Sequence, residues 1–509
     1  MKLAVVVLLF FSAAARLLAE RINQEGRILG SEPTVASPTL FNTPEADAIL
    51  GATQIMPLDN PWNEDISARP LLANSDAMIA QIRTDLSSSR RTLRAFQEMN
   101  FVLVPDTQSM VPIAFVDYPD ESDPSPYPIS ANMPIETWPS GTGTLTLQQW
   151  QQDVNGDGGD RHSIMVMPGT GSFWETWQAL LVGTAWQASN GAKFNLRSNA
   201  LRPAGWTSGD AAGLPMFPAL VRYDECRRGM VEHAMRLVVK RTRQQYLYPA
   251  NHMASSTPAS QVNVPAMGQR VRLKAGFAIP SNWTAYERAV CLGLKKYGAI
   301  VADNGGFFSI SVTPDDRYPA GAFDNLAGID VNNFEVIQTT GPAEGPRSPG
   351  APTANAGSDF DLPFPATAAI GGSVTGSGVT VAWTKYAGPG SVAFGDATQA
   401  ATTASFGMPG TYTLMLQVRD GVHAVARDAV VVNVVLPVLV VRAGNDATVG
   451  FKSAVGQTYT VQRAADPVNG PWTTLATSLA GTGDGISVPD PGGLAGSPGA
   501  VYRVQFTPR

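Results

Sequence analysis

Apolar side chains recur at every second position through the last third of the chain. Tyr412, Leu414, Leu416 and Val418 share one face of residues 410–421, and residues 379–383, ending in Trp383, alternate in the same way. A period of two marks a strand with one buried face. Residues 429–435 add a Val-rich strand. Residues 457–463, 472–475 and 500–506 repeat the pattern between Pro/Gly turns. The segments 353–436 and 437–509 are therefore each expected to form a β-sandwich.

The pattern is less regular in residues 50–340. Met78, Ile79 and Ile82 predict a short helix over 74–86. Tyr286, Val290, Leu294 and Tyr297 line one face of a second helix, with Ser281 as its cap and Gly298 as its stop. Residues 163–167, a turn at 168–171 and residues 172–179 read as a hairpin, and 231–239 as another strand. The expected fold class is mainly β: a large antiparallel β-rich N-terminal domain with a few helices, then two immunoglobulin-like β-sandwich modules. Residues 341–352 hold four prolines and three glycines in twelve positions. Such a stretch predicts an exposed, semi-stiff linker. Residues 20 to about 50 are expected to be loose.

The first residues change the picture of where the protein works. Lys2 precedes an unbroken apolar run from Leu3 to Phe11, and Ser12 to Ala15 offers a cleavage site, with Ala19 as a second. The run is far shorter than the roughly 20 residues that span a bilayer. Residues 1–19 thus read as a signal peptide, and a secreted or cell-surface extracellular location follows. Composition agrees: 15% of the 509 residues are charged, with 49 Gly and 39 Pro, a balance that favours turn-rich β-structure. The net charge of −6 argues against nucleic acid as the main partner. Cys226 and Cys291, the two cysteines, read either as one bond or as two buried thiols.

Three resemblances follow from specific residues. Residues 353–359 (Thr-Ala-Asn-Ala-Gly-Ser-Asp), the strand of Trp383, a Gly-Pro-Gly turn at 388–390 and residues 410–421 together resemble the PKD family, over 352–436. The resemblance implies a spacer or adhesion unit without catalysis. Residues 438–509 resemble C-terminal β-modules of secreted bacterial proteins, and Trp472 there reads as a core residue or a binding one. Residues 56–340 resemble an uncharacterised family of secreted bacterial proteins. Asn60-Pro-Trp-Asn63, Asp160-Arg-His162, residues 199–208 and 220–225, His233-Ala-Met-Arg236 and Ala302-Asp-Asn-Gly305 carry that resemblance, which implies no activity.

Candidate chemistry falls in the front domain, which holds His162, His233 and His252 of the chain's four histidines. Asp160 and His162, two apart on a strand, suit an oriented general base or a metal-ligand pair; a structural histidine at a strand edge is the other reading. Glu225, paired with Glu175 or Asp160, suits glycoside hydrolysis, which needs two carboxylates roughly 5–10 Å apart. Asp224 and Glu225, neighbours on a strand, would face opposite ways. Thirteen basic side chains against four acidic ones between Lys193 and Lys274 suggest a field that attracts an anionic polysaccharide. His233 or Tyr223 would then abstract a proton while arginines hold the substrate carboxylate, giving a lyase. The candidate catalytic residues are Asp160, His162, Glu225 and His233. The candidate substrate-binding residues are Arg161, Arg202, Trp206, Arg222 and Arg236. Trp174, Trp177 and Trp186 join Trp206 as candidates for a sugar platform, with Trp206 favoured by its loop. Residues 153–158 imitate the start of a calcium loop, but Ile164 stands where the bidentate Glu belongs. No metal site or cofactor is expected. The function expected is a secreted glycoside hydrolase or lyase with a PKD spacer, or else a non-catalytic glycan-binding adhesion protein.

Overall fold

The strand Ser163–Met167 is buried along its whole length, because its sheet is covered on both faces. Ile164 and Val166 enter one apolar core, and Met165 and Met167 enter another. Two-sided burial explains why this segment is continuously apolar instead of alternating. The computed structural model describes residues 5–6, 20–466, 468, 470–495 and 500–508. The expected signal peptide, apart from residues 5–6, lies outside them. The protein is mainly β, with 34% of residues in strands and 13% in helices. It divides into a front unit, Arg21–Ala351 with Val422–Ala424, and a rear unit, Pro352–Gly421 with Val425–Arg509.

In the front unit a five-stranded sheet runs in the order Asn190–Asn195, Ser172–Trp177, Ser163–Met167, Val102–Leu103, Thr39–Leu40. The expected hairpin is present, with Ser163 opposite Thr176 and Met167 opposite Ser172. A six-stranded sheet is built from Phe334–Val336, Arg270–Leu273, Ala299–Asn304, Met235–Val239, Phe308–Val312 and Leu93–Gln97. Antiparallel ladders predominate in the unit. The central pair Met235–Val239 and Ala299–Asn304 is nevertheless parallel, and the helix Ala285–Lys296 falls within its crossover. One apolar core includes residues of both sheets, among them Phe173, Leu237 and Ile300.

The helix Ser75–Asp85 matches expectation, with Met78, Ile79 and Ile82 buried. The helix Ala285–Lys296 starts later than Ser281 suggested. Thr284 caps it, its hydroxyl accepting from Glu287 N–H while the Glu287 carboxylate accepts from Thr284 N–H. This reciprocal pair satisfies two orphan donors, which a lone serine upstream does not. Gly298 follows with φ +66°, the left-handed turn that ends the element.

Two stretches expected to be loose are tied down. Pro44–Gly51 is a helix capped by Thr43, and Asn23 and Arg27 both reach the Glu232 carboxylate. Within the Pro/Gly-rich stretch, Arg347 is 3% exposed, donates to the Asp59 carbonyl at 2.8 Å and pairs with Glu64. The same Glu64 binds Arg69 and Arg270.

The rear unit holds two apolar clusters. One contains Trp383, Tyr412, Leu414, Leu416, Val430 and Val432; the other contains Val449, Phe451, Tyr459, Val461 and Tyr502. Trp383 Nε1–H donates to the Ala400 carbonyl at 3.0 Å, and the Tyr412 hydroxyl to that of Met408 at 2.9 Å, so both buried polar tips are satisfied.

Candidate functional site

A cavity of about 340 Å³ opens at the end of the hairpin, beside the loop after Thr207 and the end of strand Ala299–Asn304. Asp160, His162, Trp177, Asp210, His252 and Asp303 line it. Tyr118 stands at the rim, its ring 6.0 Å from that of Trp177.

Asp160 and His162 do reach one cavity, though not as strand neighbours. Arg161 between them adopts φ +45°, and the strand begins only at Ser163. Asp160 accepts from Trp177 Nε1–H at 3.3 Å. His162 is not a free base. Its Nδ1 faces Glu136 Oε2 at 2.8 Å and its Nε2 faces the Gly209 carbonyl at 2.8 Å. Both partners are acceptors, so the ring is held as a double donor. Burial opposes that charge, the Glu136 carboxylate outweighs it, and the pKa rises to about 9. Glu98, half-buried nearby, is also pushed up: burial, then the Glu136 charge, raises its carboxyl to about 7, which favours its neutral form.

Arg236 anchors the opposite wall and does not face substrate. Its Nε and Nη2 hold Asp210 at 2.9 and 3.0 Å, and the same Nη2 holds Asp303 at 2.6 Å. One guanidinium thus brings two carboxylates side by side. Burial raises the Asp210 pKa, Arg236 opposes this, Asp303 adds to it, and the carboxyl ends at about 6. Asp303, with its side chain 28% exposed, is the more open member of the pair.

His252, which the sequence did not single out, differs from His162. It is half-buried, and its Nδ1–H donates to the Ala211 carbonyl at 2.6 Å. Its Nε2 has no hydrogen-bond partner among the described residues. No spacing signal marks it, because the loop of Ala211 reaches it from 41 residues away.

The remaining candidates lie elsewhere. Glu225, His233 and Arg222 form their own cluster beside a separate space of about 20 Å³. Arg222 reaches Glu225 at 2.8 Å and His233 Nε2 reaches it at 3.0 Å, while His233 Nδ1 faces the Ala234 carbonyl. Burial opposes the Glu225 charge, Arg222 and His233 more than offset it, and its pKa falls to about 2. A carboxylate so fully paired is a structural anchor, not a proton donor. Asp224 and Glu225 sit in the first turn of helix Tyr223–Arg228, not on a strand. Glu175 is fully buried and accepts from the Met216 and Phe217 N–H groups, so it is no partner for Glu225.

Arg161 turns inward and donates to the carbonyls of Ala179 and Trp150. Arg202 binds Asp123 at 3.1 Å and packs over Trp206, its guanidinium 5.4 Å from the ring centre. Trp206 is therefore covered on one face, and Trp174 and Trp186 belong to the core; Trp177 is the tryptophan that meets the cavity. The expected positive field does not survive folding either. Arg197, Arg202, Arg222, Arg228, Arg236, Arg241, Arg270 and Arg272 all pair with carboxylates. The cavity lining has three aspartates and no Lys or Arg, which counts against an anionic substrate.

Asp153 folds its carboxylate back onto the N–H groups of Asp157 and Gly158, which makes the calcium-like stretch a turn. No cluster suited to a metal ion occurs among the described residues. Cys226 and Cys291 are separate buried thiols. No helix among the described residues is long and apolar enough to cross a membrane.

No family model and no curated relative matches the chain. Among solved structures it is similar to the PKD domain from KIAA 1837 protein, at 27% identity and a TM-score of 0.15, over 17% of this chain and 89% of that one. It is also similar to the secreted serine protease VesC from Vibrio cholerae, at 9% identity and a TM-score of 0.14, over 35% of this chain and 56% of that one. Neither likeness is strong enough to assign a family or an activity.

Proposed function

We propose that the protein is an extracellular glycan-directed hydrolase whose front unit holds a neutral sugar of a polysaccharide in the 340 Å³ cavity. The observation that carries this reading is the pairing of two surfaces: the aromatic rings of Tyr118 and Trp177, and the carboxylates Asp210 and Asp303 that Arg236 holds side by side. Aromatic faces take the apolar side of a sugar ring, and carboxylates take its hydroxyls. The cavity volume is at the small end of the usual range for ligand sites, about 300–1,000 Å³, which suits a single ring. Cleavage needs a proton for the leaving oxygen, and Asp303, the more exposed of the two carboxyls held by Arg236, is placed in the cavity to deliver it. The apolar leader favours export, and the PKD-like module is read as a spacer.

The test is binding and reducing-end release by the full chain on xylan, mixed-linkage glucan, starch and galactomannan. Trp177→Ala is expected to weaken binding about tenfold. Asp303→Asn is expected to cut turnover by about 10²–10⁴ with binding kept. Binding without release from any polymer would favour the adhesion reading, which the two-point grip of Arg236 on Asp210 supports. Neither binding nor release would end both.

A further inference from the structure

We infer that His252 is the proton acceptor of this cavity and that cleavage there inverts the anomeric centre; the inference rests on the hydrolytic reading above. Three imidazoles belong to this part of the fold, and their surroundings separate them. His162 has both ring nitrogens engaged, by Glu136 and the Gly209 carbonyl. His233 likewise has both engaged, by Glu225 and the Ala234 carbonyl, and it borders a different and much smaller space. His252 has one nitrogen fixed and one available. A carbonyl can only accept, so the bond to Ala211 puts the proton on Nδ1, and in the neutral ring the lone pair is on Nε2. The ring lines the same cavity as Asp303, Asp210, Asp160 and Tyr118.

Its backbone is held as well. His252 N–H donates to the Ala212 carbonyl at 3.2 Å, and Ala212 N–H donates to the Ala302 carbonyl, one residue before Asp303, at 3.0 Å. Acceptor and donor are thereby tied to one short stretch of backbone, the arrangement that preorganises acid–base catalysis. The carboxylates are the weaker candidates for the acceptor. Asp303 already binds Arg236 and Asn304 N–H, and Asp160 binds the Trp177 indole.

The step balances. Nε2 removes one proton from a water molecule, whose oxygen bonds to the anomeric carbon. The bond from that carbon to the departing sugar oxygen breaks, and this oxygen takes a proton delivered by Asp303, which lines the same cavity. The imidazolium then returns its proton to Asp303 through solvent. One displacement by water gives one inversion, whereas a carboxylate nucleophile would give retention.

Two measurements on the full chain test this. The first needs no catalysis. Diethylpyrocarbonate at neutral pH is expected to modify His252 well before His162 or His233, and an oligosaccharide from a bound polymer is expected to slow that modification at least threefold. A His252 that does not react overturns the inference. The second follows the anomeric proton of fresh product by NMR in wild type and in His252→Asn, whose amide can keep the donation to Ala211. Inverted product and a hundredfold or larger fall in kcat, with sugar affinity within threefold, support it. Retained product, or near-normal turnover in His252→Asn, removes His252 from the reaction and leaves the hydrolytic reading standing. Sugar binding with no release in wild type overturns both.

Discussion

The front and rear units solve burial in opposite ways. In the rear unit the strand Gly410–Arg419 sends Tyr412, Leu414, Leu416 and Val418 inward, and the buried set of its first cluster is apolar apart from the Tyr412 hydroxyl and the Trp383 indole N–H. In the front unit Arg222, Glu225, His233, Arg236 and Asp210 are as buried as the leucines around them. Buried ion pairs are poor stabilisers compared with apolar packing, because desolvation offsets much of their attraction.

The largest effect expected in breaking this contrast is at Glu225. Replacing it with Ala leaves Arg222 and His233 buried without their counter-charge. Hydrogen exchange in the front-unit strands should report a loss of about 3–5 kcal/mol. In the rear unit Leu416→Ala is expected to cost about 3 kcal/mol through the cavity it leaves, with no dependence on pH. Equal pH dependence in both units would erase the distinction.

A smaller effect separates them by titration. The His162 pKa is raised from 6.5 to about 9, so its contribution is complete below about pH 6.5 and fades as pH rises through 9. Front-unit protection should fall by up to about 3 kcal/mol across that window, and His162→Gln should flatten the profile. Glu98 acts with the same sign, in a more acidic window. Its carboxyl is raised from 4.5 to about 7, so the folded state is penalised as pH climbs through 7. Glu98→Gln should therefore stabilise the front unit by up to about 3 kcal/mol at pH 8 and leave it unchanged at pH 4. The smallest effect belongs to the rear unit. Arg503 sits 3.9 Å over Trp472, which is half-buried and outside the core cluster, and Arg503→Ala should change stability by less than about 1 kcal/mol.

How much of this was legible in the sequence follows from the same contrast. Period-two runs such as Tyr412 to Val418 are local, and they specify a strand and its inner face without help. Met78, Ile79 and Ile82 are equally local. The site is not. His252 meets Ala211, Asp303 meets Arg236, and Glu136 meets His162 across 26 to 67 residues. Nearness in sequence misled in the same measure: Asp160, Arg161 and His162 are consecutive, yet Arg161 turns inward while its neighbours meet the cavity. The basic run from Lys193 looked like a field because its acidic partners, Glu64, Asp85 and Asp123 among them, lie earlier in the chain.

Arg347 has a practical consequence for anyone cutting the chain. A fragment ended at residue 340, where the Pro/Gly-rich stretch begins, would omit this guanidinium and strip Glu64 of one of its three cationic neighbours. Ending the fragment at residue 351 keeps the plug in its socket. The same occlusion withdraws the Arg347 side chain, the one basic group of the stretch, from trypsin-like enzymes, which must hold it to cut after it.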